Sequence, residues 1–320
     1  MIGCLAVGDV AVNTMSTTDI HVRKPADFEN FWENISAVEA AIPLDDTVVR
    51  DDLRSAEDVD VYRVNYESID SIRIHGWYCL PKKRTRPLPA VLHIPGYQSD
   101  PILPKNWSRL GFAAFSVAPR GKVRSRSQFN PGYPGLLAHN ITDRDTYGYR
   151  GFYVDVLRAV DFLESRDEVD SSRIAVTGSS QGGGLAIMTA AMRPQVAAAT
   201  AAVPYLCDMV RASTLTDSYP YQEITDYLRL HPGHRRLVEE TLSYYDVINF
   251  APQVRCPIIV NIGLQDSICP PETGFSVFEA LGSEDKKLYT YDGQSHDGAR
   301  HVHNPLIDRF LMDKFGMPKT

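Results

Sequence analysis

The chain has no apolar run approaching the roughly eighteen residues needed to cross a bilayer, no internal repeat and no low-complexity stretch. Those absences exclude a helical membrane span, a solenoid and a compositionally biased tail. Positive charge is not in excess either: 33 Lys and Arg stand against 40 Asp and Glu, a formal net charge of -7. A chain so balanced is not built to track a phosphate backbone or an anionic membrane, so neither nucleic acid nor a lipid surface is an expected partner. Cysteine is scarce, five residues (Cys4, Cys79, Cys207, Cys256 and Cys269) without a C-x-x-C pair. An odd, unspaced set argues against a disulfide framework and for free thiols in a cytoplasmic setting. The N-terminus lacks a basic region and a long apolar core, with Asp9 interrupting the first run, so no secretory signal is expected. Residues 1–25 read as a flexible segment whose true start is Met1 or Met15.

What is present suits one large domain over residues 26–320, with 43% hydrophobic residues to fill a core. Residues 26–58 read as a helical lead-in, Phe28, Phe31, Trp32, Ile35 and Val38 falling near one face. "VYRVNYES" and "SIRIHGWYCL" then read as an antiparallel strand pair. From residue 90 the pattern changes to short apolar runs: "AVLHIP", "FAAFSVA", "RIAVTG", "AAATAAV", "PIIVNIG" and "KLYTY". Such runs are strands buried on both faces. Amphipathic stretches such as "RGFYVDVLRAVDFLESR" lie between several of them. This is an α/β pattern, a mostly parallel sheet with helices on both faces. Residues 204–250 form a mostly helical insertion.

One stretch carries chemistry. Gly178-Ser179-Ser180-Gln181-Gly182 matches G-x-S-x-G between a strand and a helix, the setting in which that motif makes a nucleophile elbow. So sharp a turn leaves no room for side chains two positions before and after its centre. Only Ser180 has glycine at both, so Ser180 is the expected nucleophile and Ser179 a packing residue. A serine hydroxyl needs a base and an orienting acid. Asp266, after "PIIVNIG", and His296, after "KLYTY", stand in the order and at the strand ends this elbow requires. The other histidines are less suitable: His93 lies within a strand, His231 and His234 in the insertion, and His301 and His303 in the last helix. Asp292 and Asp297 lie too close to His296 to come from a separate loop. The backbone N–H groups of Gln181 and Tyr97 are the expected oxyanion donors, with Gly96 letting substrate approach the backbone. Pro204 and Tyr205, past the strand after the elbow helix, are candidates for the wall of a small acyl pocket.

The stretches "DFENFW", "IHGWYCLPK", "HIPGYQSD", "GYPGLLAHNITDRDTYGYRGFYVDVLRAVDFL", "GSSQGGG", "PYLCDM", "SYYDVINFA", "GLQDSICPP" and "SHDG" give the chain a family likeness. It resembles the carbohydrate esterase family of acetyl xylan esterases and cephalosporin C deacetylases, within the α/β-hydrolase superfamily. The resemblance implies a cofactor-free and metal-free serine esterase acting on acetylated sugars and small alcohols. It also implies Ser180, Asp266 and His296 as triad, and a homo-oligomer, hexameric in this family, whose cavity admits short oligosaccharides and small molecules. Two signatures depart from the family. Its Arg-Gly-Gln is here Arg120-Gly121-Lys122, and its His-Glu is His296-Asp297. Lys122, with Arg124 and Arg126, reads first as part of a solvated surface loop and second as a basic rim suited to an anionic substrate. Two alternatives stay open: a deacylase or acyltransferase for a specialised metabolite, and a catalytically silent binding protein on the same fold.

Overall fold

The computed structural model describes residues 22–318 apart from 85, 86, 98 and 133. The expected flexible segment, with Met15 and Cys4, therefore lies mostly outside the described residues. Helix α1 (Phe28–Ala40) is followed by strand β1 (Thr47–Arg50), then β2 (Val59–Ser68) and β3 (Ile72–Pro81). The alternating part begins with β4 (Leu88–Ile94), α2 (Lys105–Arg109), β5 (Ala113–Ala118), α3 (Gly148–Glu164), β6 (Val169–Ser179) and α4 (Gln181–Met192). After β7 (Val196–Ala202) come α5 (Met209–Leu215), α6 (Gln222–Leu230) and α7 (Arg235–Ser243) of the insertion. The chain closes with β8 (Ile258–Gly263), α8 (Pro271–Ala280), β9 (Lys286–Tyr291) and α9 (Arg300–Lys314).

The described strands form one sheet in the order β1-β2-β3-β5-β4-β6-β7-β8-β9. The pairs from β1 to β5 through β2 and β3 are antiparallel, and every pair from β5 and β4 to β9 is parallel. β5 and β8 are buried at every position, as their uninterrupted apolar runs require. Successive side chains go to opposite faces. Leu92 and Ile94 of β4 join the large core with α3 and α4, whereas Val91 joins Ile307 and Leu311 of α9 in a second cluster.

The lead-in departs from the expectation for residues 26–58. The helix stops at Ala40, and the β-branched run Thr47-Val48-Val49 pairs with β2 instead. Pro43 cannot continue a helix, and β2 offers an open edge. Val38 is 52% exposed, while Glu39 is buried in its place on the inward face. Glu39 meets Arg193 at 2.5 Å, and burial pushes its carboxyl up to about 7. Phe28, Phe31, Trp32 and Ile35 are buried as expected, Trp32 stacking on Tyr153 of α3 at 5.6 Å between ring centroids. Among the described residues, no helix is long and apolar enough to cross a membrane.

Candidate active site

Ser180 sits between the last residue of β6 and the first of α4 with φ 58° and ψ -120°. A serine in that region costs on the order of 1–3 kcal/mol and persists only where its surroundings enforce it. Here the backbone does so. The Ser180 N–H donates to the Ala202 carbonyl at 2.8 Å, and the Ser180 carbonyl accepts from Gly183, Gly184 and Tyr205 at 2.9, 3.1 and 3.0 Å. The crowding inferred from the motif is present: a Cβ on Gly178 would lie 2.4 Å from the Gly182 carbonyl, and one on Gly182 would lie 2.0 Å from the Ile94 carbonyl oxygen. The elbow thus rests directly on the end of β4.

Asp266 follows β8 and is 4% exposed. Its Oδ1 accepts from the amides of Ile268 and Cys269 at 2.8 and 2.9 Å, leaving Oδ2 to meet His296 Nδ1 at 2.8 Å. A carboxylate can only accept, so Nδ1 carries the proton and Nε2 is left as an acceptor. The two loops are tied together: Gln265 N–H donates to the Gln294 carbonyl at 2.9 Å, and Asn261 Nδ2 to the Gly298 carbonyl at 2.8 Å. The insertion supports the acid loop through Thr216, whose hydroxyl donates to the Ser267 carbonyl.

Ser180 and His296 line one cleft of about 710 Å³, together with Gly96, Tyr97, Ser179, Tyr219, Pro220 and Ile268. No hydrogen bond joins the Ser180 hydroxyl to the His296 ring in this structure. Hydrogen bonds of this kind are often long before substrate binds. Burial pushes the thiol of Cys269 well up, so it stays protonated. Cys269 Sγ lies within 4.8 Å of ligand atoms of both Asp266 and His296. Asp266, Cys269 and His296 also have metal-ligating chemistry.

Among the described residues, no acceptor is bonded to the backbone N–H of Tyr97 or of Gln181, the first residue of α4. Both are free for a ligand, and the N-terminus of α4 adds its positive dipole end. Gly96 flanks them; a Cβ there would lie 4.0 Å from that of Ser180.

Three expectations need correction. Lys122 is 6% exposed and on no rim: its Nζ donates to the carbonyls of Gly96 and Tyr97 from beneath the loop. Arg124 is exposed but lies 4.2 Å over Trp77 and 3.8 Å from Asp100, and neither it nor Arg126 lines the cleft. Pro204 and Tyr205 are buried and do not line the cleft; Tyr205 packs under Tyr97 and against Tyr221, at 6.1 and 4.5 Å between centroids. Ser179 is more than packing, since it borders the cleft.

Other lining residues escaped the sequence reading. His93 holds Ser116 Oγ at 3.0 Å and is pushed down to about 4 by burial, so it stays neutral. Trp107, Arg300, Asn304 and Asp308 border the end of the cleft between α2 and α9, with Trp107 Nε1 donating to Asp308 at 3.0 Å. From the insertion, Glu223 accepts from the Tyr97 hydroxyl at 2.7 Å and from the amides of Leu137 and Ala138 at 3.1 and 3.3 Å. An acid near an aromatic-proline run was the sole hint for it.

The acetyl xylan esterase family matches residues 5–314. The chain belongs to that family. An acetyl xylan esterase from Paenibacillus sp. R4 superposes with a TM-score of 0.87 at 33% identity, over 93% of this chain and 99% of that one. The acetyl xylan esterase 1 of Thermoanaerobacterium sp. JW/SL YS485 gives 0.84 at 26% identity, over 92% and 95%. In sequence the chain is 27% identical to an acetyl esterase of Xylanibacter ruminicola over 84% of its own length, and spans 63% of that longer protein. The architecture is the α/β-hydrolase fold of these esterases.

Proposed function

We propose that the protein is a serine esterase that removes acetyl groups from acetylated sugars or small alcohols, with Ser180, His296 and Asp266 as its triad. The observation that carries the reading is the 2.8 Å Asp266–His296 hydrogen bond, with His296 and the strained Ser180 lining one cleft. Ser180 Oγ attacks the ester carbonyl carbon while His296 Nε2 takes its proton. The oxyanion is held by the amides of Tyr97 and Gln181, each donor worth on the order of a hundred- to a thousandfold in rate. Collapse breaks the bond to the alcohol, which leaves with the proton from His296. Water, deprotonated by the same nitrogen, then attacks acetyl-Ser180, and acetate departs. Asp266 holds the imidazole in the required tautomer and stabilises its charged form.

A cleft of about 710 Å³ is of the size that encloses a small ester or short oligosaccharide. Membership in the acetyl xylan esterase family favours acetylated xylo-oligosaccharides; acetylated alcohols such as the cephalosporin side chain are the second class. The buried Lys122 removes the reason to prefer an anionic ester. The test is a panel of p-nitrophenyl esters of rising acyl length with acetylated xylo-oligosaccharide alongside. Turnover falling sharply beyond propionyl and lost in Ser180→Ala is expected; equal rates for long acyl chains would overturn the acetyl assignment.

A further inference from the structure

Lys122 stands at a family-signature position that the triad leaves without a role. It follows Gly121, whose φ of 81° turns the chain back so that Lys122 N–H donates to the Pro119 carbonyl at 3.1 Å. β4 and β5 are parallel neighbours, so the turn after β5 lies beside the loop after β4. The lysine reaches across: Nζ donates to Gly96 O at 2.5 Å and to Tyr97 O. Gly96 O also accepts from the Ser99 amide at 3.2 Å. The Phe152 ring of α3 lies 6.0 Å from Nζ.

The carbonyl of Gly96 and the N–H of Tyr97 are two ends of one peptide group. We propose that Lys122 is a positioning residue for the oxyanion hole: by donating to both loop carbonyls it fixes the Gly96–Tyr97 peptide and polarises its N–H toward the substrate oxyanion. This rests on the esterase reading above. A donor on the carbonyl end of a peptide strengthens what its N–H end can donate, as hydrogen-bond chains polarise one another. Stability alone does not account for a lysine there. Burial pushes its amine down to about 7, with Asp100 acting in the opposite direction, so folding pays for placing it under the loop.

The experiment compares wild type, Lys122→Met and Lys122→Gln with p-nitrophenyl acetate and with a trifluoromethyl ketone, which captures the serine as a tetrahedral adduct. Lys122→Met should lower kcat about ten- to a hundredfold, less than outright loss of a donor, with KM within about twofold. Its affinity for the ketone should fall by the same factor as kcat, and the melting temperature should not drop. Lys122→Gln, which keeps neutral donors, should fall between the two in both readouts. Unchanged kcat in Lys122→Met, or a kcat loss without a matching loss of ketone affinity, overturns the inference. If the methionine variant does not fold, the glutamine variant decides: proportional losses support the inference, and wild-type values in both readouts overturn it. Wild-type turnover that is absent in Ser180→Ala comes first. Its failure removes the esterase reading, whereas an active wild type with an unaffected Lys122→Met removes only the role of Lys122.

Discussion

The two halves of the site are held in different ways. The elbow is fixed by main chain on main chain: Gly178 against Gly182, Gly182 against Ile94, and the Ser180 carbonyl taking three amides. The loop that carries Gly96 and Tyr97 is fixed by side chains that come from afar: Lys122 from the turn after β5, and Glu223 from the insertion, which holds the Tyr97 hydroxyl. Backbone contacts between close carbonyls have no slack, so the elbow admits one conformation. Side-chain tethers can be removed singly, and each should loosen the loop by degrees.

That contrast can be broken by three substitutions. Gly182→Ala should have the largest effect, because its methyl would lie 2.0 Å from the Ile94 carbonyl oxygen and neither backbone can yield. A loss of about 3 kcal/mol in urea unfolding, with turnover reduced at least about a thousandfold, is expected from overpacking plus a displaced nucleophile. Glu223→Gln comes next. Burial raises the Glu223 carboxyl even though the Tyr97 hydroxyl and the Leu137 and Ala138 amides favour its charged form. An amide cannot present an acceptor to all three donors, so about 2 kcal/mol of stability should be lost, with kcat reduced about tenfold through the loop. Tyr97→Phe removes one hydroxyl and should cost about 1 kcal/mol with kcat within a few-fold of wild type. If Tyr97→Phe proved as damaging as Gly182→Ala, the loop would be as rigid as the elbow and the distinction would fail.

The same contrast explains what could be read from the sequence. Gly178, Ser180 and Gly182 reveal their geometry because the constraint acts within five consecutive residues. Asp266 and His296 were legible because each follows a strand of continuous apolar residues, which places it at the sheet's edge. Lys122 was not: a cation after a glycine reads as solvated, and its burial depends on the β4 and β5 loops lying side by side. Val38 and Glu39 show a similar failure, since an acid at the centre of an apolar helix face makes sense only once Arg193 is known to meet it. Tyr205 was misread as a pocket wall because its strand end was correct while its side chain turns beneath Tyr97. Short β1 was hidden for the opposite reason, pairing only four residues on an edge.

The account depends most on Ser180 as the nucleophile, and intact-protein mass spectrometry after treatment with a reactive organophosphate tests it most directly. One adduct per chain, mapped to the peptide containing Ser179 and Ser180, retained in Ser179→Ala and absent in Ser180→Ala with ester hydrolysis lost, is the predicted result. An adduct on Cys269, or a Ser180→Ala enzyme that still hydrolyses p-nitrophenyl acetate, would contradict it.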